Sequence, residues 1–282
     1  MIRQKGSILI FTLWVLIILS ILSIVLSFRA SSDIKLAKYE ADNIKGSYLA
    51  KAGVMKMISE LMKDANDYDS LNESWNTTRE FHLGKDTVFY RASDEMAKLN
   101  LNGAGLTKDN LIWLGVDDAL PGLSEKIIAY RGTKGDKGFE FMEELFLVEG
   151  MTRDIYSEIK DMVTIYRGNE FKININTANE EALKAVIEDD SLLSDIMEFR
   201  IGPDEEDMGD DGIFTSGNFS VVFEDFGVDS DTIVNYQESK FVFKSNFFRI
   251  WAQYFLTEDE TTFKVIEAVV DRSGKIYYWK EN

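Results

Sequence analysis

Apolar positions are spread very unevenly along this chain. From Ser7 to Phe28 there is no charged side chain. Within that run Leu13, Val15, Leu16, Ile17, Ile18, Leu19, Ile21, Leu22, Ile24, Val25 and Leu26 point all around a helix. A helix in water needs a polar side, so the pattern predicts a segment embedded in lipid. Its 22 residues reach roughly 33 Å at about 1.5 Å per residue, enough to cross a hydrocarbon core of about 30 Å.

Beyond Phe28 the apolar residues thin out but recur every three or four positions: Ile34, Ala37, Ala41, Ile44, Tyr48, Ala52, Met55, Ile58 and Met62. Lys35, Lys38, Glu40, Asp42, Lys45 and Lys51 fall between them. This is the period of one helix face, and no proline interrupts Ser7 to Met62. One long helix is predicted, half in lipid and half packed through this stripe on a soluble domain. Two helices with a break near Ser31-Ser32 are the alternative. Gly46 and Gly53 each cost such a helix about 1 kcal/mol relative to alanine, and they mark close packing or slight bends.

The period then changes. Asn66 to Thr78 is rich in Asn, Asp and Ser and reads as a loop. Phe81-His82-Leu83 and Thr87 to Arg91 read as strands around a Gly84-Lys85-Asp86 turn. Near the end, Lys240 to Phe243, Phe247 to Phe255, Phe263 to Val270 and Lys275 to Trp279 read as an antiparallel meander with polar turns at Thr257–Thr261 and Asp271–Gly274. A mostly helical block separates the two strand regions and repeats itself weakly. Lys98-Leu99-Asn100-Leu101-Asn102 recurs as Lys172-Ile173-Asn174-Ile175-Asn176. Tyr130-Arg131 recurs as Phe199-Arg200, Gly138-Phe139 as Gly212-Ile213-Phe214, and Val148-Glu149-Gly150 as Asp225-Phe226-Gly227. The layout is α+β, with one antiparallel sheet packed on the long helix and a duplicated helical insertion. The segments read as a leader at 1–6, the lipid half of the helix at 7–28, and the rest of the helix with the first strands at 29–98. The insertion follows at 99–238 and the C-terminal strands at 239–282.

Charge and composition narrow the chemistry. Residues 29–282 hold 29 of the 31 basic residues and all 49 acidic ones, a formal charge of −20. Such a field repels nucleic acid and favours cations or basic partners; solubility is the plainer reading. The chain has no cysteine and one histidine, His82. That removes disulfides, thiolate metal sites and thiol nucleophiles, and leaves almost no material for a zinc hydrolase or a Ser-His-Asp triad. His82, between Phe81 and Leu83, reads as a strand or loop residue.

Three readings of the N-terminus compete. A secretory signal peptide has a shorter apolar region and a small-x-small cleavage site, which Phe28-Arg29-Ala30-Ser31-Ser32 matches poorly. A plain signal anchor fits the length. The short basic leader, Gly6 and the immediate start of the apolar run fit a prepilin-type leader cut between Gly6 and Ser7. Arg3 and Lys5 would hold the leader in the cytoplasm, with the rest of the chain across the membrane. Further along, Asp204, Glu205, Glu206, Asp207, Asp210 and Asp211 place six carboxylates in eight positions. Hard cations are held by such oxygens on a Gly-containing turn, but the spacing departs from the EF-hand. A calcium site and a solvated loop both stay open here, while a glycosidase pair is disfavoured because the carboxylates share one loop.

The first copy of the insertion resembles tandem helix-hairpin-helix modules at Leu120-Pro121-Gly122-Leu123-Ser124 and Val148-Glu149-Gly150-Met151-Thr152. DNA-binding members have Gly-hydrophobic-Gly there, so that backbone N–H groups approach a phosphate. Ser124 and Thr152 replace the second glycine, and Glu125, Glu143, Glu144 and Glu149 surround the hairpins. Both features argue against nucleic acid as a partner.

Taken together, the chain resembles the K-type minor pseudopilin of bacterial type II secretion systems, a branch of the type IV pilin-like superfamily. The resemblance covers essentially the whole chain. It is carried by the leader and helix, Lys98 to Asn102, Phe139 to Thr152, Asn174-Ile175-Asn176-Thr177-Ala178, and Phe247 to Ile250 with Val269 to Arg272. Phe11 stands where most pilins carry a glutamate thought to contact a neighbour's N-terminus; its absence is typical of the K-type. The sequence departs from the family in a short loop between Arg131 and Phe139, and in Ser7 as the first residue after the cut. The resemblance implies a pilin-like fold and no catalysis. It implies a single-pass subunit of the bacterial inner membrane, with its C-terminal domain in the periplasm. It further implies processing by a prepilin peptidase and a tip complex with I- and J-type minor pseudopilins that starts pseudopilus assembly. Contact with secreted substrates or the outer-membrane channel is also implied. The alternative is a membrane-anchored helix-hairpin-helix protein that captures DNA, of the competence type.

Overall fold

The computed structural model describes residues 5–202, 212–255 and 263–282. Helix α1 runs unbroken from Lys5 to Leu61, without a break at Ser31-Ser32. Strands β1 (Arg79–Leu83) and β2 (Asp86–Asp94) follow as an antiparallel hairpin. The chain then enters the insertion. Its first copy holds β3 (Leu99–Asn100), α2 (Lys108–Trp113), α3 (Val116–Ala119), α4 (Leu123–Thr133), α5 (Arg153–Ile159) and β4 (Val163–Thr164). The second holds β5 (Ile173–Asn174), α6 (Glu180–Ile187), α7 (Asp190–Ile201), α8 (Phe219–Asp225), α9 (Ser230–Asn235) and β6 (Phe241–Val242). Strands β7 (Phe247–Phe255), β8 (Phe263–Asp271) and β9 (Ile276–Glu281) then complete a five-stranded sheet in the order β1-β2-β7-β8-β9.

Two cores result. In the sheet, side chains alternate between faces, so Tyr90 and Ala92 of β2, Ile250 and Ala252 of β7, and Ile266, Ala268 and Val270 of β8 all bury against α1. Tyr90 stands opposite Ala252, and Ile250 opposite Ala268, so large and small residues alternate across the ladder. Burying a Val, Leu or Ile side chain contributes about 1.5 to 3 kcal/mol. The second core fills the insertion, where Phe214, Phe219, Phe223 and Phe241 form an aromatic cluster.

Two expectations need correcting. The buried face of α1 is Gly46, Leu49, Ala50, Gly53, Val54, Met57, Ile58 and Leu61. Of the stripe read from the sequence only Ile58 is buried, while Ile44, Tyr48, Met55 and Met62 are exposed. Size is the reason. A Cβ on Gly53 would lie 2.8 Å from the Cβ of Ala252 and 3.0 Å from Cγ1 of Val88, so small residues let the helix sit close on the sheet. Apolar periodicity alone favours the larger Tyr48 and Met55. The second correction concerns Lys240 to Phe243, which is not part of the meander. Strand β6 pairs parallel with β5, as β4 does with β3, so each copy is closed by a two-residue parallel ladder too short to show in the sequence.

Candidate functional site

The first candidate is the free face of α1. Gly6 and Ser7 lie in its first turn. Phe11 is 68% exposed in the apolar half, where no carboxylate occurs from Ser7 to Phe28. In the half that carries the sheet, Tyr48 is 70% and Met55 50% exposed, and Met62, just past the end of the helix, is 57% exposed. The helix thus has two apolar faces, one on its own sheet and one uncovered. Large uncovered apolar surfaces mark sites of association.

The duplication of the insertion is visible bond by bond. Asn102 donates through Nδ2 to the carbonyl of Phe139 at 2.9 Å, while its Oδ1 accepts the Phe139 N–H at 2.8 Å. Asn176 does the same to Phe214, at 2.9 and 2.8 Å. Each Asn also donates its own N–H to the Asn two residues earlier, Asn100 or Asn174, at 3.0 Å. Each copy also ends a helix in an arginine that binds carbonyls beside the Asn: Arg131 that of Asn102, and Arg200 those of Ile175 and Ala178. The copies meet through Asn110 of α2, which donates to the Ala185 carbonyl at 2.8 Å and to the Glu188 carboxylate at 3.0 Å.

A buried polar joint fastens insertion to sheet. Asp94, at the end of β2, accepts hydrogen bonds from Asn174, Thr177, Ser245 and the N–H of Met96. Burial pushes its pKa up. Asp69 accepts the Ser245 N–H at 2.6 Å and both its oxygens receive Arg272, at 2.7 and 2.6 Å. Burial, partly offset by Ser245 and Arg272, leaves Asp69 at about 6. Arg272 also donates to the Leu61 carbonyl at 3.0 Å, satisfying one of the free carbonyls at the end of α1. A second buried carboxylate, Glu95, is held by Arg249 at 3.0 and 2.8 Å. Burial alone would raise its pKa, but Lys98 and Arg249 outweigh it and hold it at about 2. Asn174, Thr177, Arg249 and Arg272 lie in segments already singled out from the sequence, but Asp69, Asp94, Glu95 and Ser245 were not, because their partners are distant in the chain.

Asp64, Asp69 and Glu73 bring carboxylate oxygens within 4.8 Å of one another. The Arg272 guanidinium binds two of the three, and Glu73 is bound by Asn66 and Trp75, so their oxygens are committed to the fold. His82 lies on exposed β1, its Nδ1 3.0 Å from the Thr87 hydroxyl. A cleft of about 300 Å³ between insertion and sheet is lined by Lys98, Tyr156, Tyr166, Arg249, Glu267 and Tyr278. Its Arg249 is already paired with Glu95 and Glu267. The acidic stretch Asp204, Glu205, Glu206, Asp207, Asp210 and Asp211 lies outside the described residues.

One chain of the solved GspK-GspI-GspJ complex from the type 2 secretion system of enterotoxigenic Escherichia coli is similar to this structure. The two share a TM-score of 0.57 over 88% of this chain and 98% of that one, at 15% sequence identity. No family model and no curated protein sequence matches this chain. The long helix, the antiparallel sheet and the helical insertion are therefore the fold of a subunit of that secretion complex.

Proposed function

We propose that this chain is a non-enzymatic minor pseudopilin that sits in the tip complex of a type II secretion pseudopilus. The observation that carries the reading is the uncovered apolar face of α1 at Tyr48 and Met55, continued by Met62 just past its end, on a chain with the fold of a subunit from such a complex. A helix with one face on its own sheet and one free is suited to pack against the equivalent helices of I- and J-type partners. Phe11 supports a terminal position, since a carboxylate in lipid is costly without a partner and a subunit with nothing above it has none. The bulky insertion would block stacking above it. On this reading the prepilin peptidase cuts after Gly6, the first half of α1, to Phe28, stays in the inner membrane, and the rest of the chain lies in the periplasm. The assembled tip starts pseudopilus assembly and meets secreted substrates or the outer-membrane channel. The acidic stretch Asp204–Asp211 would bind calcium.

The test is purification of the full chain from membranes that express the whole system. The reading predicts an N-terminus at Ser7 and I- and J-type subunits in the same complex. A chain that begins at Met1 and purifies alone contradicts it.

A further inference from the structure

The sheet ends in an unpaired edge. Strand β9 has β8 on one side and, among the described residues, no strand on the other. Asn282 and Val265 exchange both of their backbone hydrogen bonds. Such pairs alternate with open ones along an antiparallel ladder. Lys280 and Tyr278 therefore bond inward, opposite Glu267 and Val269, while the N–H and C=O groups of Trp279 and Glu281 point outward. A row of free backbone groups of this kind is a template for a further strand. Ile276 and Tyr277 at the start of β9, and Lys280 and Glu281 at its end, are exposed.

The side chains beside this edge are divided between two faces. Trp279 packs towards the core under α1, and Glu281 accepts a hydrogen bond from Ser47 of α1. Tyr278 and Lys280 face the cleft between insertion and sheet, which Tyr156, Lys160 and Tyr166 of the insertion also line. The rings of Tyr166 and Tyr278 lie 5.6 Å apart. Buried tyrosine hydroxyls usually find a partner, yet those of Tyr156, Tyr166 and Tyr278 have none among the described residues. Burial raises the pKa of all three, so they stay protonated and can donate. The Arg249 guanidinium is spent on Glu95 and Glu267. Lys160 and Lys280 have no ion-pair partner among the described residues, and neither have Glu143 and Asp161 on the insertion side. Tyrosines with free polar tips, rigid and amphipathic, are what polypeptide-binding surfaces use.

We propose that the free edge of β9 and this cleft form one groove, which binds an extended segment of a partner polypeptide as a sixth strand of the sheet. The segment bonds through its backbone to Trp279 and Glu281, as in other cases of strand addition. Residues two apart on it share a face, so one lies beside Tyr278 and the next on that face beside Lys280. The first suits an aromatic ring, which the tyrosines bury. The second suits a carboxylate, because Lys280 is the charge that a neighbouring strand meets directly. The partner segment thus reads aromatic-x-acidic. A second copy of this chain is a poor occupant, since each copy carries a formal charge of −18 and like-charged chains repel. The groove includes no residue of the free α1 face, so it stands apart from the tip-complex reading.

The test uses full-length protein in detergent and a fluorescein-labelled synthetic peptide, Ser-Thr-Tyr-Thr-Glu-Thr-Ser, read by fluorescence anisotropy. The peptide is expected to bind, and to lose binding when its threonine amides are N-methylated. Lys280→Glu is expected to weaken it about fivefold, from loss of one cross-strand charge pair, and a peptide with lysine in place of glutamate should recover that loss. Glu281→Pro removes an outward N–H at an edge position where proline is tolerated, and should abolish binding. The charge swap at exposed Lys280 decides the matter if Glu281→Pro does not fold. No binding by the parent, binding unaffected by N-methylation, or a charge swap without effect overturns the proposal. Dimers that form through β9 in place of peptide binding overturn it as well.

Discussion

Gly53 of α1 lies so close to Ala252 of β7 that a Cβ on the glycine would stand 2.8 Å from the alanine Cβ. Neither atom can swing away, since both belong to packed backbone elements. Gly53→Ala therefore gains about 1 kcal/mol of helix propensity but forces the helix off the sheet, and overpacking of this kind costs about 1 to 3 kcal/mol. The variant is expected to be less stable in urea. Met55→Ala, on the free face, is expected to stay within about 0.5 kcal/mol of the parent. A stabilised Gly53→Ala would mean that the helix is not seated as described.

Asn102 and Asn176 make the same pair of bonds, but solvent reaches only one of them. Asn102 lines a cleft of about 510 Å³, while Asn176 and Phe214 are buried. Truncating either leaves a backbone N–H and carbonyl without partners, at about 1 to 3 kcal/mol for each buried group. Asn176→Ala is expected to lower the urea midpoint more than Asn102→Ala, because water can replace the second side chain and not the first. Equal losses would contradict the burial difference.

The buried carboxylates give stability a defined pH profile. Asp69 has a folded pKa of about 6 against an ordinary 3.8, so the folded state binds the extra proton between those values. Its contribution is full below 3.8 and lost as pH rises through 6. Glu95 acts in the opposite sense. With a pKa of about 2 against 4.5, its contribution is full above 4.5 and lost as pH falls through 2. The urea midpoint is expected to rise from pH 7 to pH 5 and to fall again below pH 4. Burial is the main cause of the raised Asp69 pKa and the Asp94 carboxylate adds to it, so Asp94→Asn should lessen the upper limb without abolishing it. A midpoint that falls steadily from pH 7 to pH 5 contradicts the assignment.

Six carboxylates between Asp204 and Asp211 repel one another unless a cation relieves them. A ligand that binds only the folded state raises its melting temperature, so millimolar calcium is expected to raise Tm. The rise should disappear in the double variant Asp207→Asn, Asp210→Asn. No rise, or a rise that survives both substitutions, rules the stretch out as the site.

Much of the architecture was legible because it is written in periodicity. The continuous α1, the strands at Phe81–Leu83 and Thr87–Arg91, and the paired Asn-hydrophobic-Asn segments leave strong local patterns. Which face of α1 is buried was not legible. Helical spacing admits two stripes, and the choice falls to Gly46, Ala50 and Gly53, whose value is smallness and not hydrophobicity. That Asp69, Asp94, Asn174, Ser245 and Arg272 meet in one joint was not legible either, because they come from five separate places in the chain.

The central claim is that the free face of α1 meets the helices of other minor pseudopilins. The chain has no cysteine, so a single introduced thiol reports one position. Tyr48→Cys and Met55→Cys should each form disulfide crosslinks to cysteines placed in the α1 helices of the I- and J-type subunits, in membranes that carry the whole secretion system. Met57→Cys, on the buried face, should form none. Equal crosslinking from both faces, or crosslinks only between copies of this chain, would contradict the account.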